Sequence, residues 1–514
     1  MNQTQFNSMQ DFGYNRFDRN HSVIGSYNMG IAYPLGYFDI PIGGTIENDL
    51  DIFCRSSPLA DPSFLDCDIS VGHYFVSYEA MDAFYRIRCQ EAKGGPSGFA
   101  VPLLQLELDE WTAERIYQFL GPGSLADHLG IGLDPADGQI EKPDERMTVI
   151  LPLYPFIAYH MIVDRFFRNS RIQDVERTRK AIMSSSTSLN SVYFSATNPS
   201  GLDDYGDNRW ILKLDYLNYL PDYLTTTRPS AGGPDVLIPG PNGDVSTQKG
   251  TIHELLDAML LQKIGDMLDR GGYSYNDFVR VIYNVDPGED LSEYPVFLAG
   301  GSSPLQVSTV VNQTSPDAST QADPLGTLAG NVSSYLNGGN SFIRRVTKAG
   351  IYMPMMWIRP KAYYPSGVGP QWRIRNLGEM LIPQLADMSD APVLLQELEC
   401  TPKGLSELSS VAVEDSIWGY KDRYQEYRTC LDRVVGEMRT TRKGWYVSMP
   451  VDRMKYQSID SAIIGVGEGS FLMNRVDYSP WVVTDRDVDH FFARVHHSFR
   501  CTFPLPVTSR PYVW

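Results

Sequence analysis

Apolar and polar residues alternate in four stretches of this chain, and these lie toward its two ends. Alternation with a period of two is typical of half-buried β-strands; it occurs in residues 31–55, 68–78, 350–361 and 490–503. In the first stretch, the Gly43-Gly44 pair predicts a turn between two strands. The last stretch alternates around Val495 and Phe499 and predicts a final strand that closes a sheet.

The middle of the chain has helical spacing instead. Residues 155–169 carry large apolar side chains on one face of a predicted helix. Residues 252–268 also carry apolar side chains on one face of a predicted helix, and Thr251 and Glu254 form a capping box at its start. Shorter helices are predicted over residues 79–89, 112–130 (with a break at 121–123) and 274–283.

Polar segments rich in Ser, Asn, Gly or Pro separate these elements. Residues 1–25 predict an extended N-terminal arm, and residues 183–208 and 300–340 predict long polar loops. Strands toward both ends, with helix-bearing excursions over about residues 80–350 between them, predict a mainly β fold in one domain over residues 26–514. A β-sandwich or jelly roll with long connections fits this order.

Charge narrows the possible functions. The chain has 514 residues, 42% of them hydrophobic, and a formal net charge of −18. A uniformly acidic surface repels phosphate, which argues against a single-stranded DNA-binding protein as such. Any role with nucleic acid therefore requires a local basic face or a separate basic partner.

Cysteine usage and hydropathy point to a reducing compartment and no membrane insertion. The six cysteines are scattered without a CxxC pair, which is typical of small buried residues rather than a disulfide framework. Residues 1–20 lack the apolar segment of a signal peptide. The sequence has no run of 18 apolar residues that could span a membrane.

A search for reactive constellations predicts neither catalysis nor a metal or other cofactor. His253-Glu254 lacks the second histidine of a zinc-protease motif. His496 and His497 are adjacent on a predicted strand, so their side chains point to opposite faces. The glycine-rich segment 465–470 lacks the lysine of a phosphate-binding loop and predicts a tight turn.

Two basic clusters are candidates for contact with DNA. Arg16 and Arg19 lie among aromatic residues in the predicted arm, and Arg344, Arg345 and Lys348 follow the polar loop at 300–340. Arginines interleaved with aromatics stack on unpaired bases while they contact phosphates. A solvated face or an ion pair between subunits remains the alternative for each cluster.

The segment Trp418–Arg428 combines aromatic residues with both signs of charge. Such a composition is poor material for a purely apolar core and good material for a surface at which two chains interlock. The predicted packing residues between loops or subunits are Trp418, Tyr420, Arg423, Tyr424, Tyr427 and Arg428. A role within one chain remains the alternative.

The order of segments resembles the major capsid proteins of the Microviridae, small icosahedral phages with single-stranded DNA, in their gokushovirus-like branch. Trp418–Arg428 resembles the family segment "FGYQERYAEYR" nearly position by position. Leu151–Asn169 is similar to "LPFRAYxxIxNxxYRDQN", and Asp215–Arg228 to "DYFTSALPWPQKG". Further similar segments begin at Tyr27, Val71, Leu261, Tyr294, Gln313 and Phe499, so the resemblance runs from about residue 25 to the end.

This resemblance implies an eight-stranded antiparallel jelly roll with long helix-containing insertions. It implies sixty copies in a T=1 shell around a circular single-stranded DNA genome, assembled in the bacterial host cytoplasm. The implied partners are other copies of the chain, the packaged DNA, a small basic DNA-binding virion protein, a minor pilot or spike protein and a host surface receptor. The N-terminal arm is expected to face the shell lumen.

One departure concerns the protruding spike of some family members. Their long variable insert precedes the segment that resembles Leu261, whereas only residues 231–250 occupy that position here. We therefore expect a small protrusion, or one supplied by residues 183–208 or 305–340. The competing function is a carbohydrate-binding or carbohydrate-degrading β-sandwich protein, which requires two carboxylates at catalytic distance.

Overall fold

The structure is a computed structural model that describes most of the chain. The described residues are 13–61, 63–82, 85, 89, 103–107, 120–131, 148–170, 172–180, 193–195, 208–228, 280–281, 284, 294–311, 328–336, 339–374, 380–385, 390–398, 417–447, 472–474, 476–485 and 488–505. All structural statements below concern these residues.

Strands dominate the described part of the chain. In order they are β1 (Asn15–Asp18), β2 (His21–Tyr27), β3 (Ala32–Pro34), β4 (Phe38–Ile40), β5 (Thr45–Asn48), β6 (Leu50–Ser56), β7 (Cys67–Ser77), β8 (Leu103–Glu107), β9 (Thr148–Pro152), β10 (Tyr193–Ser195), β11 (Val296–Pro304), β12 (Gln306–Val311), β13 (Leu328–Leu336), β14 (Phe342–Arg345), β15 (Gly350–Pro360), β16 (Ala391–Leu394), β17 (Ile417–Lys421), β18 (Phe491–His497) and β19 (Arg500–Phe503). The α-helices are α1 (Tyr78–Met81), α2 (Leu125–His128) and α3 (Tyr154–Phe167). Short 3₁₀ helices add Asn208–Leu212, Pro370–Arg373, Pro383–Leu385, Leu395–Glu397, Gln425–Tyr427, Gly436–Arg439 and Lys443–Trp445.

One long sheet, which we call the open sheet, has two consecutive parts, and four chain segments contribute a strand to each part. The four segments are β1–β2, β5–β6, β13–β14 and β18–β19. In one part the strand order is β2-β18-β6-β13-β12, and in the other it is β1-β19-β5-β14. The same segments thus lie side by side in the same order in both parts. Two backbone hydrogen bonds span the interruption: Arg19 donates to the Phe499 carbonyl (2.8 Å), and Ser498 donates to the Asp49 carbonyl (2.9 Å).

A second sheet, which we call the covered sheet, packs against the open sheet. Its order is β11-β7-β15-β3, with β4 also pairing to β15. Ile69, Val71 and Met356 meet Ile52 and Val495 of the open sheet in one apolar core. A neighbouring cluster joins Phe75 and Tyr352 to Ile46, Phe499 and Cys501. The two facing sheets therefore form an antiparallel sandwich.

The other face of the covered sheet is buried beneath helix α3. Tyr74 and Val76 of β7 and Met353 of β15 join the same cluster as Phe156 and Ile162 of the helix. Both central strands are therefore buried on both faces, and their sequences are nearly continuously apolar for that reason. In the described part of the chain three layers result: helix α3, the covered sheet and the open sheet, whose far face no described element covers.

Several predicted elements are confirmed. The strand predicted over residues 68–78 is β7, the strand predicted over 350–361 is β15, and the helix predicted over 155–169 is α3. The prediction of a mainly β fold is also confirmed. The eight-stranded jelly-roll topology stays a prediction. The helices predicted over 252–268 and most of 274–283 lie outside the described residues.

Other predictions were wrong in extent or in kind. Residues 300–340 were expected to be a polar loop, but they contain the end of β11, all of β12 and all of β13. Their Ser- and Thr-rich sequence marks strands with one solvated face rather than a loop. The segment 31–55 forms four short strands instead of two, residues 490–503 form two strands instead of one, and residues 193–195 of a predicted loop form β10.

The predicted arm is also shorter than residues 1–25. Strands β1 and β2 occupy residues 15–27 and pair with β19 and β18, the last two strands of the described chain. Exposed Arg16 alternates with half-buried Phe17 in β1, which joins the sheet because its apolar positions fall on the core side. Residues 1–12, the remaining part of the predicted arm, lie outside the described residues.

A smaller cluster lies apart from the sandwich. Tyr219, Tyr223, Tyr364, Leu395 and Trp418 are buried together there. The two-stranded sheet β16-β17 contributes Trp418, and a three-stranded sheet of order β10-β8-β9 forms elsewhere. The cluster gives the connections around the sandwich a core of their own.

Candidate nucleic-acid interface

The described residues leave the far face of the open sheet uncovered. In each of the four segments, alternate residues stay on the same side through both parts of the sheet. For example, positions 491 to 503 alternate, with every odd residue buried. Side chains two residues apart share a face of a strand, so one surface runs the length of all four segments.

One half of this surface, formed by β1, β19, β5 and β14, is rich in paired charges. Arg16 donates a hydrogen bond to the Glu47 carboxylate at 3.3 Å, and Arg500 donates to the same carboxylate at 3.2 Å. Arg500 also lies 3.7 Å from Asp18. Arg345 lies over the ring of Tyr14 at 5.9 Å, next to this ion-pair network.

The structure places four of the five candidate DNA-facing cations at this half of the sheet. Arg16 and Arg345 lie on the open face, Arg344 is exposed on the adjacent strand position, and Arg19 follows β1 with its guanidinium over Phe38 and Phe499. Lys348 lies beyond β14 and forms an ion pair of 3.1 Å with Glu79 of α1. Arg16 and Arg345, separated by more than 300 residues in the sequence, thus lie on one face of the same sheet with two strands between them.

The other half of the open face carries residues that the sequence analysis did not select. They are the exposed side chains of Ile24, Phe53, Arg55, Tyr335, Phe492 and Arg494. The signal was present in Leu50–Ser56, where Phe53 and Arg55 occupy the polar phase of an alternating strand. Several large apolar side chains exposed together on one sheet face are informative, because such patches mark interaction sites.

The Trp418–Arg428 segment proves to be divided between core and surface. Trp418 is buried in the small cluster, and Tyr420 exchanges two backbone hydrogen bonds of 2.8 Å with Arg228. The segments similar to "DYFTSALPWPQKG" and "FGYQERYAEYR" therefore contact each other within one chain. Arg228 also forms ion pairs with Asp390 (2.8 Å) and Asp422 (3.0 Å).

The end of this segment is held by Tyr424, which adopts a left-handed conformation with φ of 62°. Its buried hydroxyl contacts two backbone groups near residue 381, and Arg423 lies 5.4 Å over its ring. Tyr427 and Arg428 remain exposed beside it. Part of the segment thus serves the fold of one chain, and part is available at the surface.

Buried histidines lie between the two sheets. His73 Nδ1 lies 2.7 Å from the Tyr352 hydroxyl, and burial lowers the pKa of His73 to about 4. His497 stacks on His21 with ring centroids 4.4 Å apart. Burial, followed by the charges of His21, His73 and His496, lowers the pKa of His497 to about 3. His496 points to the opposite face, as the strand prediction requires.

A second buried network fixes the end of helix α3. Asp215 accepts hydrogen bonds from His160 Nδ1 (2.9 Å) and Arg177 (2.8 Å) and pairs with Arg168 at 3.1 Å. Burial raises the pKa of Asp215, but the hydrogen bond from His160 and the charges of His160, Arg177 and Arg168 outweigh it. The net result is a pKa well below the usual range.

Neither of these networks is arranged as a metal site. Within the ranges given above, no group of three or more His, Cys, Asp or Glu side chains could hold a metal ion. The same part of the chain contains no helix long and apolar enough to cross a membrane.

Comparisons with known proteins agree with this arrangement. The family described as "Capsid protein (F protein)" matches residues 240–513. Capsid protein VP1 of Chlamydia phage 1 is 24% identical over 307 residues, which is 57% of this chain and 48% of the relative. Capsid protein VP1 of Bdellovibrio phage phiMH2K is 25% identical over 217 residues, 41% of this chain and 39% of the relative.

A third relative, capsid protein VP1 of Spiroplasma virus 4, is 26% identical over 200 residues, covering 38% of this chain and 34% of the relative. The chain thus spans about half or less of the length of these curated relatives. The family match covers more than half of this chain. The predicted resemblance to Microviridae capsid proteins is confirmed, and the chain belongs to the phage capsid protein (F protein) family.

Proposed function

We propose that this capsid protein assembles as sixty copies into a closed T=1 shell around a circular single-stranded DNA genome. Family membership supports the capsid role. The observation that carries the DNA part is the open sheet: no described element covers its far face, and that face holds both Arg16 and Arg345. A shell subunit needs one broad surface toward its contents, and this face has the required breadth.

The DNA-facing cations that we propose are Arg16, Arg19, Arg344, Arg345 and Lys348. Glu47 neutralises part of the charge of Arg16, and Glu79 neutralises part of that of Lys348. The remaining positive charge is small compared with the net charge of −18 for the chain. We therefore propose that a small basic virion protein supplies most of the neutralisation of the packaged phosphates.

Other partners follow from the same proposal. A minor pilot or spike protein and a host surface receptor complete the virion's contacts, and assembly takes place in the bacterial cytoplasm. The buried cysteines Cys54, Cys67 and Cys501 are unpaired, as expected for assembly in a reducing compartment. The spike-insert position at 231–250 lies outside the described residues, so a small protrusion stays a prediction.

Contacts between subunits are proposed for the exposed part of the Trp418–Arg428 segment. Tyr427 and Arg428 are exposed there, with Tyr420 and Arg423 half-buried beside them. Trp418 and Tyr424 support this surface from within the subunit. Replacing Arg423 with alanine tests the assignment: loss of shells with an unchanged unfolding midpoint places the contact between subunits, whereas loss of both places it within one chain.

We further propose that the chain is not an enzyme. The alternative, a carbohydrate-binding or carbohydrate-degrading β-sandwich, requires two carboxylates at catalytic distance around a sugar site. Among the carboxylates of the open face, Asp18 and Glu47 are instead bound to Arg500 and Arg16. An assay for glycosidase activity on purified protein would favour the alternative if turnover were found.

Negative-stain microscopy and light scattering test the shell directly. Sixty chains of 57.8 kDa give a particle of about 3.5 MDa. We expect closed shells of that mass from purified protein, and a persistent monomer would reject the proposal. The role of the arm is tested by deleting residues 1–12 alone, since a deletion to residue 25 would also remove β1 and most of β2. We expect less retained DNA; unchanged DNA content would reject a lumenal role.

A further inference from the structure

The open sheet ends in a surface of aromatic and basic side chains, which we call the aromatic patch. It consists of Ile24 on β2, Phe492 and Arg494 on β18, Phe53 and Arg55 on β6, and Tyr335 on β13. The exposed fractions are 81% for Ile24, 58% for Tyr335, 52% for Phe492 and 40% for Phe53. Exposure of so many large apolar groups on one sheet face marks an interaction site.

The strand register arranges these residues in rows across the sheet. Ile24 is the partner of Arg494, Arg494 is the partner of Phe53, and Phe53 is the partner of Tyr335. One straight row thus crosses four strands. In the next row Phe492 is the partner of Arg55. Neighbouring strands are about 4.8 Å apart, so the aromatic rings of the two rows form one platform.

The two arginines of the patch differ from those in the other half of the sheet. Arg16 and Arg500 share the Glu47 carboxylate. In contrast, within the described part of the chain neither Arg55 nor Arg494 lies in an ion pair, and Arg55 stacks over the Phe53 ring at 4.9 Å. Two guanidinium groups without an acidic partner are notable in a chain with a net charge of −18.

We propose that the aromatic patch binds single-stranded DNA, with unpaired bases stacked on Phe53, Tyr335 and Phe492 and phosphates paired with Arg55 and Arg494. This inference rests on the proposed function and deepens it by assigning the bases a site of their own. Aromatic rings and guanidinium planes on an open sheet are the elements that bind single strands with little sequence preference.

Charge complementarity selects DNA over other occupants. A basic protein would be repelled by Arg55 and Arg494. A second copy that covered the patch would bury both guanidiniums and would have to provide a carboxylate for each, because an unpaired buried charge is strongly unfavourable. Single-stranded DNA meets both requirements, because its bases stack on the aromatic rings and its phosphates pair with the guanidinium groups.

The first test separates stacking from charge. Binding of a fluorescein-labelled oligodeoxythymidylate of about twenty nucleotides to the purified full-length chain is measured by fluorescence anisotropy at several salt concentrations. Phe492→Ala and Tyr335→Ala should each weaken binding about fivefold or more, with an unchanged slope of log affinity against log salt. Trp372→Ala, which removes an even more exposed aromatic residue outside the sheet, is the control and should bind like the parent.

The second test addresses the phosphates. Loss of one phosphate contact to a single strand reduces the salt slope by about 0.7. The double variant Arg55→Gln and Arg494→Gln should therefore reduce the slope by about 1.4, which a purely structural effect would not do. Arg433→Gln, which removes an exposed arginine outside both the open sheet and the Trp418–Arg428 segment, should leave the slope unchanged.

The outcomes distinguish this inference from the proposed function. Parental oligonucleotide affinity in Phe492→Ala and Tyr335→Ala would overturn the inference, whether or not the parent forms shells. Loss of shells together with parental affinity would also overturn it and would make the patch a contact between copies. If the parent binds DNA through the patch but forms no shells, the inference is supported and the proposed function fails.

Discussion

The Tyr424 hydroxyl donates a hydrogen bond of 3.0 Å to the Met380 carbonyl, 44 residues earlier in the chain. It also accepts a hydrogen bond of 3.2 Å from the Ile382 amide. One phenol thus satisfies two backbone groups, and Tyr424→Phe leaves both without it. We expect a loss of about 1–3 kcal/mol in the free energy of unfolding, measured by urea denaturation.

Tyr427→Phe is the matched control for that change. Tyr427 packs edge-on against Tyr424, with ring centroids 6.1 Å apart, but its side chain is exposed. Its variant should unfold at the parental urea concentration. Equal destabilisation by both substitutions would contradict the specific role that we assign to the Tyr424 hydroxyl.

The carboxylate of Asp215 should be among the most sensitive positions of the helical layer. Asp215→Asn removes the charge that pairs with Arg168 and Arg177. Because the Arg168 side chain is almost fully buried, we expect a loss of about 3–5 kcal/mol in the free energy of unfolding. Asp174→Asn, which breaks the exposed pair with Lys180, should change stability little; a similar loss in both variants would contradict the prediction.

Acid should destabilise the subunit through the histidines between the sheets. The folded-state pKa is about 4 for His73 and about 3 for His497, below the value of about 6.5 in an unfolded chain. The unfolded state therefore binds more protons below pH 6.5, so stability is complete above that pH and falls as the pH approaches the folded-state values. Each histidine should cost about 2 kcal/mol between pH 7 and pH 5.

Unfolding of the His73→Gln variant by urea at both pH values measures this contribution. We expect lower stability than the parent at pH 7, because the contacts with Tyr352 and Asn340 change. The difference in stability between pH 7 and pH 5 should nevertheless shrink by about 2 kcal/mol. An unchanged difference would show that His73 does not titrate in this range.

Gly30 is a position at which the backbone leaves no room for a side chain. Its φ is 75°, and a Cβ atom would lie 2.0 Å from the Asn474 carbonyl oxygen. Gly30→Ala should therefore lower the thermal unfolding midpoint by more than the left-handed backbone alone explains. Gly13→Ala, with φ of 61° and open space around it, isolates the backbone contribution. Equal midpoints for the two variants would contradict steric exclusion at Gly30.

The sequence predicted the parts of the fold whose patterns are local. β7, β15 and α3 have long apolar runs, so their type and approximate bounds follow from the sequence alone. β12 and β13 escaped prediction because their Ser- and Thr-rich sequences lack strong alternation, and because β6, the partner of β13, is more than 270 residues earlier in the chain. Pairing over such separations leaves little local signal.

The candidate site could be predicted only in part for the same reason. The arginine clusters at residues 16–19 and 344–345 are visible in the sequence, but their proximity depends on β5 lying between β19 and β14. Phe53 occupies the polar phase of its strand, but only the register shows that it shares a solvent-facing side with Phe492. The Glu47 carboxylate, which binds Arg16 and Arg500, also becomes relevant only in the assembled sheet.

In each of the four segments, alternate residues face the same side of the sheet from one end to the other. A change in the length of a segment therefore exchanges the two faces for every residue after it, as a frameshift changes every later codon. One residue inserted near Asp49 would turn every following side chain of β6 over, sending Phe53 into the core and Ile52 into solvent. A second insertion nearby, or a bulge, would restore the original phase. Length changes among relatives should therefore accumulate in the connections and occur in compensated pairs within these segments, so that both the packed side and the uncovered side survive together.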